Sequence, residues 1–171
     1  NARGEKHPDP LFIAKQAIKY GADSITIHLR EDRRHIKDID LKKISKLKIP
    51  LNLEIGCNQN MMNIALKNKP NFICLVPEKR KEITTEGGLN IKKNFNKIQF
   101  IVNKFKKNKI RTSLFINPNI NDIIYSKKIN ADCIEIHTGK ISNLIKNKKN
   151  YRNELKKIIK CAKYASSLGI E

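Results

Sequence analysis

Five short apolar runs, each separated from the next by a stretch with helical spacing, constrain this 171-residue chain more than any other feature. A first helix is predicted from Asp9-Pro10, a cap followed by a first-turn proline. Phe12, Ile13, Ala17 and Ile18 line one face of it, and Gly21 ends it. Strands over 24–29, 51–55, 72–76, 112–116 and 133–137 then alternate with helices near 39–47, 60–67, 92–107 and 121–128. A closing helix carries Leu155, Ile158, Ile159, Ala162 and Ala165 on one side and ends at Leu168-Gly169, which leaves Ile170 and Glu171 to open a further strand. Strands separated by helices form βαβ units in a parallel sheet, and right-handed crossovers make of that sheet either a barrel or a doubly wound layer.

An internal echo favours the barrel. Gly21-Ala22-Asp23-Ser24-Ile25-Thr26-Ile27-His28 recurs as Asn130-Ala131-Asp132-Cys133-Ile134-Glu135-Ile136-His137, 109 residues and four strands later. That spacing is about 27 residues per unit, near the repeat of an eight-unit barrel of about 250 residues. Neither GxGxxG nor GxxxxGK[ST] occurs, which removes the usual nucleotide-binding motifs of a doubly wound sheet. The chain is therefore read as a single domain over 1–171, a (β/α)8 TIM barrel that is incomplete here.

The formal net charge of +20 invites a nucleic-acid reading, because clustered cations release counterions from phosphates. The cations are 29 Lys and only 7 Arg, beside 20 Asn and 28 Ile, the joint excess that an AT-rich coding sequence produces. The densest run, Lys92 to Lys109, is interleaved with Ile98, Phe100, Ile101 and Phe105 at helical spacing and reads as a solvated helix face. A basic nucleic-acid-binding module stays as the alternative from a different class. No apolar run is long enough to span a membrane and the first ten residues lack a signal-peptide core, so the protein is expected to be soluble and cytoplasmic. Cys57, Cys74, Cys133 and Cys161 are too scattered for a zinc motif or a disulfide framework and are expected to be reduced core thiols.

Three strands alternate in polarity, where fully buried parallel strands usually read as continuous Val, Ile and Leu. Thr26 and His28, Asn52 and Glu54, and Glu135 and His137 each share one side, with Ile25, Ile27, Leu29, Leu51, Leu53, Ile55, Ile134 and Ile136 on the other. The apolar side must meet the helices. In a barrel the polar side then points inward, with its ionisable members toward the C-terminal strand ends where active sites of this architecture lie. Such groups cost several kcal/mol each to bury unless paired, so they are either a catalytic set or a structural set of mutual partners. Beyond the first strand, Arg30, Arg33, Arg34 and His35 suit a phosphate, although charged loops are often only self-paired. Thr84-Thr85-Glu86-Gly87-Gly88 offers hydroxyls and backbone NH groups, or simply a tight turn.

A set of segments spread along the whole chain closely resembles, in order and spacing, the pyridoxine 5'-phosphate synthase family. They are Asn1-Ala2-Arg3-Gly4, His28 to His35, Asn52-Leu53-Glu54, Leu75-Val76-Pro77-Glu78-Lys79-Arg80, Thr84 to Leu89, Ser113 to Ile116 and Glu135-Ile136-His137-Thr138-Gly139. The resemblance implies a TIM barrel that condenses 1-deoxy-D-xylulose 5-phosphate with 3-amino-2-oxopropyl phosphate to pyridoxine 5'-phosphate, phosphate and water. It implies no metal and no other cofactor, a homo-octamer, small phosphorylated substrates as partners, and neither nucleic acid nor membrane. By the same resemblance His28 and Glu54 are the proton acceptors and Glu135 supports charged intermediates. Arg3 contacts the amino-ketone phosphate, and Arg30, His35 and Thr84 hold the deoxyxylulose phosphate. Another phosphosugar barrel enzyme is the alternative within the class.

The family's first strand and its last two, including a Gly-His-Gly strand end with the proton-donor histidine, have no counterpart between Asn1 and Glu171. The chain is accordingly expected to be a fragment covering strands two to six, or else the product of a truncated pseudogene. Expressed alone, such a piece is expected to be inactive and to fold poorly, because five strands of eight leave two free edges.

Overall fold

The computed structural model describes residues 8–78 and 87–171. Seven helices and five strands alternate among them, and their order begins with α1 (Pro10–Lys19), β1 (Ile25–Leu29), α2 (Asp38–Ile44) and β2 (Leu51–Gly56). Next come α3 (Gln59–Asn68), β3 (Phe72–Val76), α4 (Phe95–Lys107) and β4 (Arg111–Ile116). The chain closes with α5 (Ile120–Ile129), β5 (Cys133–Ile136), α6 (Gly139–Lys146) and α7 (Arg152–Ser167). Local chemistry sets these ends: Asp9 caps α1 through Leu11 N at 2.9 Å, and Asn58 caps α3 through Met61 N at 2.9 Å. The sequence places a helix start at Lys92, but residues 91–94 form a turn in which Asn90 accepts from Lys93 N at 3.1 Å, and α4 begins three residues later. Helix α6 is absent from the sequence reading, since its short apolar face of Ile141, Leu144 and Ile145 lies between two longer signals.

All strands are parallel and lie in the order β1-β2-β3-β4-β5. A doubly wound sheet reverses its strand order at a switch point; a sequential order with right-handed crossovers keeps every helix on one face. This is an arc of a TIM barrel. Hydrogen bonds from Ile134 N to Glu171 O (2.7 Å) and from Glu171 N to Asp132 O (3.4 Å) continue the sheet past β5, where a further strand is expected to open.

The helix-facing side carries the core. Leu29, Leu53, Ile55, Ile73, Leu75, Leu114 and Ile116 are fully buried there against Leu41, Ile44, Met61, Ala65, Ile98, Phe105 and Ile123 from the helices. On α4 the alternation of Lys with apolar residues resolves into Ile98, Ile101, Val102 and Phe105 buried and the lysines outward. Phe100, which the sequence groups with that face, lies half exposed instead, with Lys104 Nζ 5.4 Å from its ring centroid. All four cysteines are free thiols, but Cys74 and Cys133 stand in register with the inner row of the sheet rather than the helix-facing core. Among the described residues no helix is long and apolar enough to cross a membrane.

The two faces differ in what they contribute to stability. Leu53→Ala, on the outer face, is expected to cost about 2 to 5 kcal/mol. Thr26→Ala, on the inner face and exposed, is expected to stay within about 0.5 kcal/mol. Urea unfolding of the two variants checks this, and equal losses would contradict the assignment of faces.

Candidate active site

Parallel pairing sets His28 of β1 opposite Glu54 of β2, then Cys74 of β3, Ser113 of β4 and Cys133 of β5 in one inward row. The period of two sends these side chains away from the helices, and a parallel register needs no turn to hold it. His28 Nδ1 lies 3.6 Å from Glu54 Oε2. Its other nitrogen, Nε2, is 3.0 Å from Oε1 of Glu78, two residues beyond the end of β3. The imidazole therefore stands between two carboxylates at the C-terminal end of the sheet.

Burial raises the Glu54 carboxyl above its ordinary value, the nearby imidazole of His28 opposes the rise, and the charge of Glu135 adds to it. Glu135 sits two residues beyond Cys133 toward the strand ends, opposite Phe115. The Cys74 thiol is held strongly in its neutral form by burial and then by Glu135. Ser113 Oγ is buried in the same row, between the thiols of Cys74 and Cys133. His28, Glu54 and Glu135, the catalytic candidates, thus converge. His137, on the same side, packs edge-to-face on Phe115 with centroids 5.2 Å apart. A side chain on Gly139 would collide with that ring at 2.6 Å.

The loop after β1 ties two of its arginines to its own acids. Arg33 adopts a left-handed backbone with φ 55° and grips Asp38 with two bonds, at 2.8 and 3.2 Å. Its Nη1 also donates to the carbonyls of Arg30 (2.8 Å) and Glu31 (3.1 Å). Arg34 closes on Asp32 at 2.7 Å through Nε, and this bond lowers the Asp32 carboxyl below its usual range. These two arginines are partners of the loop itself. Arg30 is buried and His35 exposed beside them, on the loop that leaves the catalytic end of β1. Arg3 and Thr84 lie outside the described residues.

Two functional features escape the sequence pattern. Glu78 follows Cys74 and Val76 in the inward parity, but β3 is apolar on both sides, so no alternation draws attention to it. Gly56, at the end of β2, leaves the space that Glu78 crosses to reach His28: a Cβ there would stand 3.1 Å from Glu78 Oε2 and 3.2 Å from Glu31 Oε1. The second half of the Thr/Gly loop is a close backbone approach. Gly88 N donates to Asn117 Oδ1 at 2.9 Å, and a Cβ on Gly88 would meet the backbone of Ile116 and Asn117 at 2.3 Å. A cavity of about 470 Å³, bordered by Glu31, Asn58, Glu78, Asn94 and Lys97, opens beside Glu78.

An arc of parallel barrel with a histidine between carboxylates at its C-terminal strand ends defines a TIM-barrel protein equipped for acid–base chemistry. A family model described as "Pyridoxal phosphate biosynthesis protein PdxJ" matches residues 1–171, and the chain belongs to that family. It is 63% identical over 172 residues to the pyridoxine 5'-phosphate synthase of Pelagibacter ubique, covering all of this chain and 72% of that one. It is 45% identical over 172 residues to the synthase of the same name from Ehrlichia ruminantium strain Gardel, covering all of this chain and 70% of the relative. Among solved structures, D-psicose 3-epimerase with D-tagatose from Clostridium cellulolyticum H10 superposes with a TM-score of 0.51 at 10% identity. The match covers 76% of this chain and 57% of the epimerase, and it shares the fold alone.

The raised Glu54 carboxyl has a consequence for stability. The folded chain keeps the Glu54 proton to higher pH than the unfolded chain does, so stability falls as pH rises between the two values. Wild-type protein carries this penalty at neutral pH and is free of it at acid pH. Glu54→Gln is expected to raise Tm at neutral pH, with the gap to wild type closing as pH falls toward about 4. Thermal unfolding across that range checks it; a gap independent of pH, or a less stable variant at neutral pH, would contradict it.

Proposed function

We propose that this chain forms the catalytic face of a pyridoxine 5'-phosphate synthase. The substrates are 1-deoxy-D-xylulose 5-phosphate and 3-amino-2-oxopropyl phosphate, and the products are pyridoxine 5'-phosphate, phosphate and water. Relatives carrying that name cover the whole chain at 45% and 63% identity, and the observation that carries the reading is the in-register pairing of His28 with Glu54. Imine formation, dehydrations and loss of phosphate each move protons. A histidine and a carboxyl whose burial favours the neutral acid suit both directions of transfer near neutral pH.

His28 and Glu54 are assigned as proton acceptors, and Glu135, within Coulombic reach of Glu54, as the group that supports cationic intermediates. Arg30, His35 and Thr84 are assigned to the deoxyxylulose phosphate and Arg3 to the amino-ketone phosphate. Arg33 and Arg34 are excluded from that role by their bidentate and short bonds to Asp38 and Asp32. The reaction makes the protein a transferase, and assembly as a homo-octamer in the cytoplasm accompanies the reading.

The intact gene product, rather than residues 1–171 alone, is expected to form pyridoxine 5'-phosphate from the two substrates, followed by chromatography. His28→Ala and Glu54→Gln are each expected to lower kcat by about 100-fold or more. Absence of product from the wild type, or undiminished turnover in either variant, would overturn the assignment. Salt-sensitive binding to arbitrary DNA near physiological ionic strength, without product, would favour the basic-module alternative.

A further inference from the structure

The carboxylate of Glu78 is bonded at both oxygens to groups that the proposed reaction needs. Oε1 meets His28 Nε2 at 3.0 Å, and Oε2 accepts from the backbone NH of Glu31 at 3.0 Å. The side chain of Glu78 is only 7% exposed. Glu31 in turn holds Asn58 at 2.6 Å, and Asn58 caps α3, so Glu78 ties β1, the arginine loop and α3 together. A histidine facing an ionised carboxylate places its ring proton on that nitrogen, because the carboxylate can only accept. The lone pair is then left on Nδ1, the nitrogen that faces Glu54 at 3.6 Å.

We infer that Glu78 is a positioning residue for this reaction: it fixes His28 as the Nε2-protonated tautomer, and through Gly56 and Glu31 couples that tautomer to the loop carrying Arg30 and His35. The inference rests on the reading of His28 as a proton acceptor. Among the described residues, the charged and titratable groups around this pair are Glu54 on β2, Glu135 on β5 acting on Glu54, and Cys74 in the same row on β3. Glu31 bonds Glu78 from the loop after β1, and Arg34 of that loop lies within Coulombic reach of it. None of them offers a second acceptor to Nε2 in the hydrogen bonds of the structure.

The Glu78→Gln variant separates the two bonds. The Glu31 NH needs an acceptor, so the amide oxygen turns to it and the amide NH2 faces His28 Nε2. A donor at Nε2 forces the ring proton to Nδ1 and removes the lone pair from the Glu54 side. In the intact gene product, Glu78→Gln is expected to keep KM for both substrates within about threefold while kcat falls about 100-fold or more, the cost of a wrong tautomer. The 15N signals of a histidine-labelled sample should show the His28 proton on Nε2 in the wild type and on Nδ1 in the variant. Glu78→Ala loses both bonds and is expected to raise KM for the deoxyxylulose phosphate as well. Gly56→Ala, which crowds Glu78 at 3.1 Å and Glu31 at 3.2 Å, is expected to lower kcat alone and to add little to Glu78→Gln.

Wild-type kcat in both Glu78→Gln and Gly56→Ala, or an unchanged His28 tautomer in Glu78→Gln, would overturn the inference. If Glu78→Gln fails to fold, the Gly56→Ala kinetics and the wild-type 15N spectrum decide. Full turnover in His28→Ala would instead remove the catalytic reading of His28, and the tautomer spectrum would still report on Glu78.

Discussion

One-sided burial governs this structure. Because the strands follow one another in sequential order and parallel crossovers take one hand, the helices that pack on the described sheet gather on one face. That face must be apolar, and Leu29, Leu53, Ile55, Leu75, Leu114 and Ile116 meet the condition with complete burial. Among the described residues the opposite face carries the polar row of the strands, including His28, Glu54 and Glu135. The inward row of His28, Glu54 and Glu135 exists because the packing constraint falls on alternate residues only.

Register converts that freedom into chemistry. A slip of one residue between β1 and β2 would bring Leu53 or Ile55 opposite His28 and turn Glu54 toward the helices. Since the outer face is packed so fully, such a slip is prohibitive, and the His28–Glu54 pairing inherits its precision from Leu53 and Ile55 on the far side. The same logic explains the glycine at the end of β2. Position 56 falls on the inner parity, and any side chain there would fill the space through which Glu78 reaches the imidazole.

Much of this was legible in the residues. The alternation of Thr26 and His28, Asn52 and Glu54, and Glu135 and His137 marks the inner face, because a period of two survives in strands that are polar on one side. The five strand ranges agree with the residue pattern to within one residue at each end, three through alternation and β3 and β4 as short, mainly apolar runs between helical stretches. Glu78 was not legible as a site residue from pattern alone: β3 is apolar on both faces and the glutamate lies beyond it, where parity is no longer enforced by pairing. The arginine loop was half legible. Charge suggested either an anion site or a self-paired loop, and only geometry shows Arg33 and Arg34 paired with Asp38 and Asp32. Helix α6 escaped because eight residues with three apolar positions give too little periodicity. Family resemblance carried the reaction and the substrates, which packing and spacing do not encode.

The central claim is that His28 and Glu54 act as one proton-transfer unit set by strand register. A double-mutant cycle on kcat tests it most directly, with His28→Ala, Glu54→Gln and the combined variant assayed in the intact gene product. Groups that act as a unit are strongly non-additive, so the double variant is expected to be no more than about threefold slower than the slower single. Losses that multiply, with the double variant slower by the product of the two single effects, would show two independent groups and contradict the account.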